Sequence, residues 1–204
     1  MRKLLLTLTA LLPLTLWAQD NTWEQPEEEE QEQKVKTNPD EKYLRGAVPM
    51  VDGKVVFSKT VEAPGKSAAQ IYDILLTYLT KMTKEKNQVS SHIAINDSAK
   101  HEIVGVYDEW LVFRSNAIIL DRTRLIYALQ ALCHDGKADI SISRIRYLYD
   151  EERNARRYTA EEWITDQEAV NKKNTRLLPL SGKFRRKTID RKDFLFNKIE
   201  TLLR

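Results

Sequence analysis

The chain has 204 residues, of which 42% are hydrophobic, and its formal net charge at pH 7 is +3. This length fits one globular domain with appended segments, and the apolar content is enough for a core without covalent staples. Cys133 is the only cysteine, so an intrachain disulfide is excluded. We expect Cys133 to be a buried core thiol because it ends an alternating apolar stretch.

The first residues have the pattern of a signal peptide. Arg2 and Lys3 supply positive charge, residues 4–16 are mostly apolar, and Ala18 is a small residue before the expected cleavage point. A helix over the apolar stretch would rise about 20 Å, which is short of the roughly 30 Å hydrocarbon core of a bilayer. We therefore predict a signal peptide over residues 1–18, cleavage near Ala18, a periplasmic or secreted location, and no transmembrane span in the mature chain.

The segment that follows is dominated by acidic residues, and residues 27–30 are consecutive glutamates. Such a stretch repels itself and has few apolar side chains to bury. We predict a disordered acidic linker over residues 19–46.

The next part of the chain has the signals of a turn and a helix. Asp52 and Gly53 suit a tight turn between two short strands. Ser67 can cap a helix, and Gln70 lies three residues later in the capping-box position. Apolar residues then recur at helical spacing, which predicts a helix packed on a sheet. These residues are Ile71, Ile74, Leu75, Tyr78, Leu79 and Met82.

Alternating apolar residues predict strands over residues 89–95, 102–107, 110–113 and 123–133, with a hairpin turn at 134–137. In the strand after this turn, Ile142 and Ile145 are three positions apart. A regular strand would therefore point their side chains to opposite faces of the sheet. We therefore predict a β-bulge near Ser143 and Arg144. Together these elements predict an α+β domain over residues 47–150.

Several stretches resemble the domain-of-unknown-function family 4468, whose members are secreted bacterial proteins with a TATA-box-binding-protein-like (TBP-like) fold. The stretches are VDGKVVF at 51–57, APGKS at 63–67, IYD at 71–73, LDRTR at 120–124, YTAEEWITD at 158–166 and GKFRRKTID at 182–190. The resemblance implies an antiparallel sheet with helices packed on one face. It implies no activity, because the family has none assigned.

Residues 151–204 contain two helical patterns with a break between them. Thr159 and Glu162 form a capping-box pair at the start of a helix that we expect to run to about Lys173. A last helix is predicted from about Asp190. We interpret this region as a helical C-terminal extension that packs on the domain.

Basic residues cluster in the predicted break before the last helix. Lys183, Arg185, Arg186 and Lys187 are our candidate site for binding an anionic surface, since basic residues near a charged membrane attract it. The alternative is a solvated turn whose charges pair with acids of the preceding helix. A basic run can also indicate nucleic-acid binding, but the export signal argues against nucleic acid as a partner.

The inventory of catalytic residues is small. His92, His101 and His134 are the only imidazole bases, and no nucleophile elbow lies near them. A metal site would need a third ligand beside His92 and His101, and none is evident. We predict no catalytic residues, no metal and no cofactor.

These observations predict a non-catalytic periplasmic or envelope-associated domain that binds an envelope protein or an anionic envelope component. One alternative is an envelope hydrolase that acts through carboxylates, which would need two buried acids in a pocket. Another is a domain that encloses a small apolar ligand, which would need a connected internal cavity.

Overall fold

The computed structural model describes residues 38–116, 120–151 and 153–204. The predicted signal peptide and most of the predicted linker lie outside these residues. A short 3-10 helical turn, Glu41–Tyr43, comes first. The strands and helices that follow are β1 (Met50–Val51), β2 (Lys54–Val55), β3 (Phe57–Glu62), α1 (Ala68–Met82), β4 (His92–Asp97), β5 (Glu102–Ser115), β6 (Leu120–His134), β7 (Lys137–Tyr149), β8 (Arg156–Thr159), α2 (Ala160–Trp163), α3 (Asp166–Ala169) and α4 (Ser181–Leu203).

The main sheet is antiparallel. Its strands lie in the order β3-β7-β6-β5-β4, and β8 pairs with the end of β7 beyond β3. β1 and β2 form a separate hairpin that Asp52 and Gly53 close with positive φ angles. α1 and α4 pack on one face of the sheet. The predicted fold class is confirmed: α+β, an antiparallel sheet with helices on one face, and a helical C-terminal extension.

On the covered face of the sheet, buried residues recur at every second position along the three long strands, except for a step of three from Ile142 to Ile145. The buried series is Ile103, Tyr107, Leu111, Leu125, Tyr127, Leu129, Ala131, Cys133, Ala138, Ile140, Ile142, Ile145 and Tyr147. Gly105 interrupts the series because the ring of Tyr107 occupies the space that a side chain would need. The Tyr107 hydroxyl donates a hydrogen bond to the Leu79 carbonyl oxygen, 3.0 Å away, and so connects β5 to α1.

The capping box predicted at the start of α1 is confirmed. Ser67 Oγ accepts a hydrogen bond from the Gln70 backbone N–H, and the Ser67 backbone N–H donates to Gln70 Oε1 over 2.9 Å. The apolar stripe of α1 faces the sheet, and Ile71, Leu75 and Leu79 are fully buried. Local capping and tertiary burial therefore favour the same helix.

The predicted β-bulge is also confirmed, and it lies in β7. Ile126 is opposite Arg146 and Ala128 is opposite Ser143, so β7 has one residue more than β6 over this interval. Arg144 takes up the difference with a φ of 55°. The bulge keeps the apolar residues after it in the core and leaves Ser143, Arg144 and Arg146 on the opposite face.

β5 differs from the prediction of two separate strands, since it is continuous from Glu102 to Ser115. Asp108 and Glu109, which interrupt its apolar pattern, are both buried in the middle of the strand. Each carboxylate forms an ion pair with an arginine, Asp108 with Arg124 and Glu109 with Arg191. Their charges are therefore compatible with a central strand.

The linker prediction is wrong for residues 38–46, which pack against the C-terminal region. Tyr43 is 7% exposed, and its hydroxyl donates a hydrogen bond to Asp190 Oδ1 over 2.8 Å. The Leu177 backbone N–H donates to Asp40 Oδ2 over 2.9 Å. The folded domain thus includes the chain from Asn38 onwards.

The single helix predicted from Thr159 to about Lys173 is two short helices, α2 and α3. The capping box of Thr159 and Glu162 is confirmed, but the helix ends after one turn. The carbonyl oxygen of Ile164, just beyond α2, accepts a hydrogen bond from the Arg185 guanidinium over 2.8 Å. A residue remote in sequence therefore satisfies the backbone at this end of the helix.

The last helix begins at Ser181, well before the predicted start near Asp190. Gly182 lies in the first turn of α4, where a Cβ atom would be 2.6 Å from Leu177 Cβ. Glycine is thus present because Leu177 packs closely against the helix. The earlier start places the basic cluster on a helix and not in a turn.

Candidate functional site

The basic cluster predicted as an anion-binding surface is engaged with the protein itself. Lys183 Nζ lies 2.7 Å from Asp121 Oδ2 and 3.0 Å from the Tyr149 hydroxyl. Arg186 pairs with Asp40, and Lys187 is half-buried. These contacts within the chain resemble the alternative that we considered, paired charges. Asp166, the partner of Arg185, lies in the preceding helical region as that alternative expected, whereas Asp121 and Asp40 do not.

The prediction that Arg185 belongs to a surface site is wrong, because its side chain is fully buried. Its guanidinium donates hydrogen bonds to the carbonyl oxygens of Tyr43, Leu44 and Ile164 over 2.5, 2.6 and 2.8 Å. It also donates to Asp166 Oδ1 over 2.7 Å. Burial lowers the pKa of Arg185, an effect that the ion pair with Asp166 opposes. Arg185 holds the N-terminal segment and the end of α2 against α4.

The three imidazole groups make separate contacts in the structure. His92 is opposite Val106 in the β4–β5 ladder, and His101 makes an edge contact with the ring of Tyr72. His134 Nε2 lies 3.3 Å from Asp139 Oδ2 at an exposed position. Within the part of the chain that the structure describes, no group of three or more His, Cys, Asp or Glu could hold a metal ion.

The space between α4 and the sheet does not form a ligand cavity. The opening lined by Phe57, Leu125, Ile145 and Leu195 has room for about 10 Å³. This is at the lower limit for a single water molecule. Nothing at this position supports the alternative of an enclosed apolar ligand.

The face of the sheet opposite the helices carries a groove of about 420 Å³. Its apolar lining comes from β4, β5 and β6 and includes Ala94, Ile95, Val104, Val106, Ile126 and Ala128. Its polar lining includes Glu102, Gln130, Ser143, Arg144 and Arg146. We call this feature the sheet groove.

The two arginines of the sheet groove are exposed. Neither Arg144 nor Arg146 forms a side-chain hydrogen bond or ion pair with any residue in the described ranges. Glu102, the acid in the groove, accepts a hydrogen bond from Gln130 Nε2 over 2.7 Å. Positive charge therefore remains uncompensated at the β7 end of the groove, next to the bulge.

Sequence reasoning missed the sheet groove, although a signal for it exists. Residues 125–129 are continuously apolar, whereas a strand with one solvated face alternates apolar and polar residues. Leu125, Tyr127 and Leu129 form the covered face, so Ile126 and Ala128 must lie on the other. The apolar run therefore indicates an apolar surface on both sides of β6.

Comparisons with known proteins agree with this fold. The family model described as a domain of unknown function (DUF4468) with TBP-like fold matches residues 57–148. A crystal structure of a DUF4468 family protein from Bacteroides ovatus has 43% identity and a TM-score of 0.76, and the match covers 82% of this chain and 96% of that one. The chain belongs to the DUF4468 family. The resemblance seen in the sequence is thereby confirmed.

A second solved structure, a TBP-like protein from Parabacteroides distasonis, matches this DUF4468 protein with 22% identity and a TM-score of 0.63. The match covers 76% of this chain and 96% of that one, and it shows the fold alone. No curated protein matches the chain. Across residues 38–116, 120–151 and 153–204, no helix combines the length and apolar character needed to cross a membrane.

Proposed function

We propose that this protein is an exported, non-catalytic binding domain that takes an anionic envelope component on the uncovered face of its sheet. The observation that carries the proposal is the pair of exposed arginines, Arg144 and Arg146, beside an apolar groove and without an acidic partner among the described residues. Two neighbouring guanidinium groups repel each other, and a bound anion would relieve that repulsion.

The contrast with the other basic residues supports this choice of surface. Lys183, Arg185 and Arg186 lie on the helical side, and each is bound to an acid of the same chain. Binding an external anion there would first require breaking an internal ion pair. Binding an anion at Arg144 and Arg146 would not require any internal ion pair to break.

The arrangement of the acids supports a non-catalytic role. Asp108 and Glu109 are buried, but each is held by an arginine. As adjacent residues in one strand they also point to opposite faces of the sheet. They do not form the pair of carboxylates around one pocket that a hydrolase of the alternative type would need.

The experiment measures binding to vesicles of phosphatidylglycerol by co-sedimentation, with phosphatidylcholine vesicles as the uncharged comparison. We expect salt-sensitive binding to the anionic vesicles, and we expect Arg144→Gln with Arg146→Gln to weaken it strongly. The matched control is Lys173→Gln with Arg176→Gln, which removes the same charge from exposed positions in the loop before α4. Equal binding by the two double variants would refute the site.

A further inference from the structure

The sheet groove changes from apolar to cationic along its length. At β4 it is lined by Ala94 and Ile95, and at β7 by Arg144 and Arg146. It crosses four neighbouring strands, which at about 4.8 Å per spacing makes it about 14 Å long. A ligand that fills it therefore needs an extended apolar part and an anion at one end.

The floor of the groove has few free backbone hydrogen-bonding groups of β5 and β6 for a peptide to pair with. Val104, Val106, Ile126 and Ala128 belong to β5 and β6, which are interior strands. Their backbone groups pair with neighbouring strands on both sides. A peptide lying across these strands would leave its own N–H and C=O groups without partners, and an aliphatic chain has no such groups.

The size of the groove favours one small molecule over a macromolecule. Its volume of about 420 Å³ lies in the range of small-molecule sites, about 300–1,000 Å³. A lipid that stays in a bilayer keeps its chain in the hydrocarbon layer and cannot lay it across the strands. The occupant must therefore be free in solution.

We infer that the sheet groove binds a single-chain aliphatic carboxylate, with the carboxylate at Arg144 and Arg146 and the chain over Val106, Ile126 and Ala128 towards Ile95. Guanidinium groups bind carboxylates through paired, charge-assisted hydrogen bonds. The bulge matters because it brings Ser143, Arg144 and Arg146 to the same face at the end of the groove. This inference rests on the proposed function and names the chemistry of its ligand.

The test is isothermal titration of the purified protein with sodium dodecanoate below its micelle concentration. We expect one site, and we expect Arg144→Gln and Arg146→Gln each to weaken binding about tenfold. Ala128→Phe should abolish binding by filling the groove. A cooperative thermal unfolding transition would show that this variant is folded. Sodium acetate, which has no chain, and dodecanol, which has no charge, should both bind much more weakly.

The outcomes separate this inference from the proposed function. If dodecanoate does not bind, but phosphatidylglycerol vesicles bind in an Arg144-dependent manner that Ala128→Phe leaves unchanged, the carboxylate inference is wrong and the anion site stands. If neither probe depends on Arg144 and Arg146, both proposals fail. If dodecanoate binds in a manner that depends on Arg144 and Arg146, and folded Ala128→Phe loses dodecanoate binding, the inference is supported.

Discussion

Breaking the buried ion pair between Glu109 and Arg191 should strongly destabilise this fold. Their side chains are 0% and 1% exposed, and Arg191 donates two hydrogen bonds of 2.7 Å to the two carboxylate oxygens. Tyr127, Gln88 and Asn87 donate three more, over 3.1, 2.6 and 3.2 Å. The pair connects α4 to the central strand β5 through the covered face of the sheet.

Replacing Arg191 with Met removes the cation and leaves the Glu109 carboxylate in the core with neutral donors only. Removing one partner of a buried pair costs about 3–5 kcal/mol. For a domain of this size that loss lowers Tm by about 6–20 °C, at about 2–4 °C for each kcal/mol. Glu109→Gln should have a cost of the same order. The double variant should cost less than the sum of the two, because it leaves no unpaired charge.

The assay is urea unfolding followed by far-UV circular dichroism, analysed as a double-mutant cycle. The matched control is Lys59→Met, which also replaces a cation with Met in an ion pair, at 2.6 Å from Glu200. Because both side chains of that pair are about one-third exposed, it should lose less than about 1 kcal/mol. The reasoning is refuted if Arg191→Met and Lys59→Met lower the free energy of unfolding equally.

Three further predictions concern the Arg185 hydrogen bonds, the Ser67 helix cap and the buried Cys133 thiol. Arg185→Met should detach residues 38–48 from α4, which would be measured as faster amide hydrogen exchange in those residues. Arg185→Lys should not restore the protection, because lysine lacks the planar guanidinium that donates several hydrogen bonds at once. Ser67→Ala should lower the free energy of unfolding by about 1 kcal/mol in urea titrations, through loss of the α1 cap. Burial raises the pKa of the Cys133 thiol from an ordinary 9.0 to about 11, so the native protein should resist alkylation at pH 8 and the unfolded protein should not. Because this pKa is raised in the folded state, the contribution of Cys133 to stability should be constant below about pH 9 and fall as pH rises towards 11.

The elements that could be predicted from the sequence are those whose cause is local. The capping box at Ser67 depends on residues three positions apart, and the bulge in β7 depends on the parity of Ile142 and Ile145. β5 could not be predicted as one strand, because the partner that makes buried Glu109 tolerable is 82 residues away. The extent of α2 likewise depends on Arg185, which lies 21 residues beyond Ile164.

The candidate site was harder to predict because charge in a sequence does not show which basic residues are already paired. Arg185 lies four residues before Ile189 on α4, and both are buried. Helical periodicity extended back to Ser181 would have placed Arg185 on the inward face. Arg144 and Arg146 are unremarkable in the sequence, and only the sheet register places them beside the apolar groove.

The attachment of Asn38 has a practical consequence for presenting this domain. Its side-chain amide donates a hydrogen bond to the Thr175 carbonyl oxygen over 2.8 Å, in the loop before α4 on the helical side. A bead or surface coupled at Asn38 itself would therefore hold the molecule on its helical side and leave the opposite face turned to the solution. Immobilised in this orientation, the protein would present the sheet groove to a ligand arriving from the bulk.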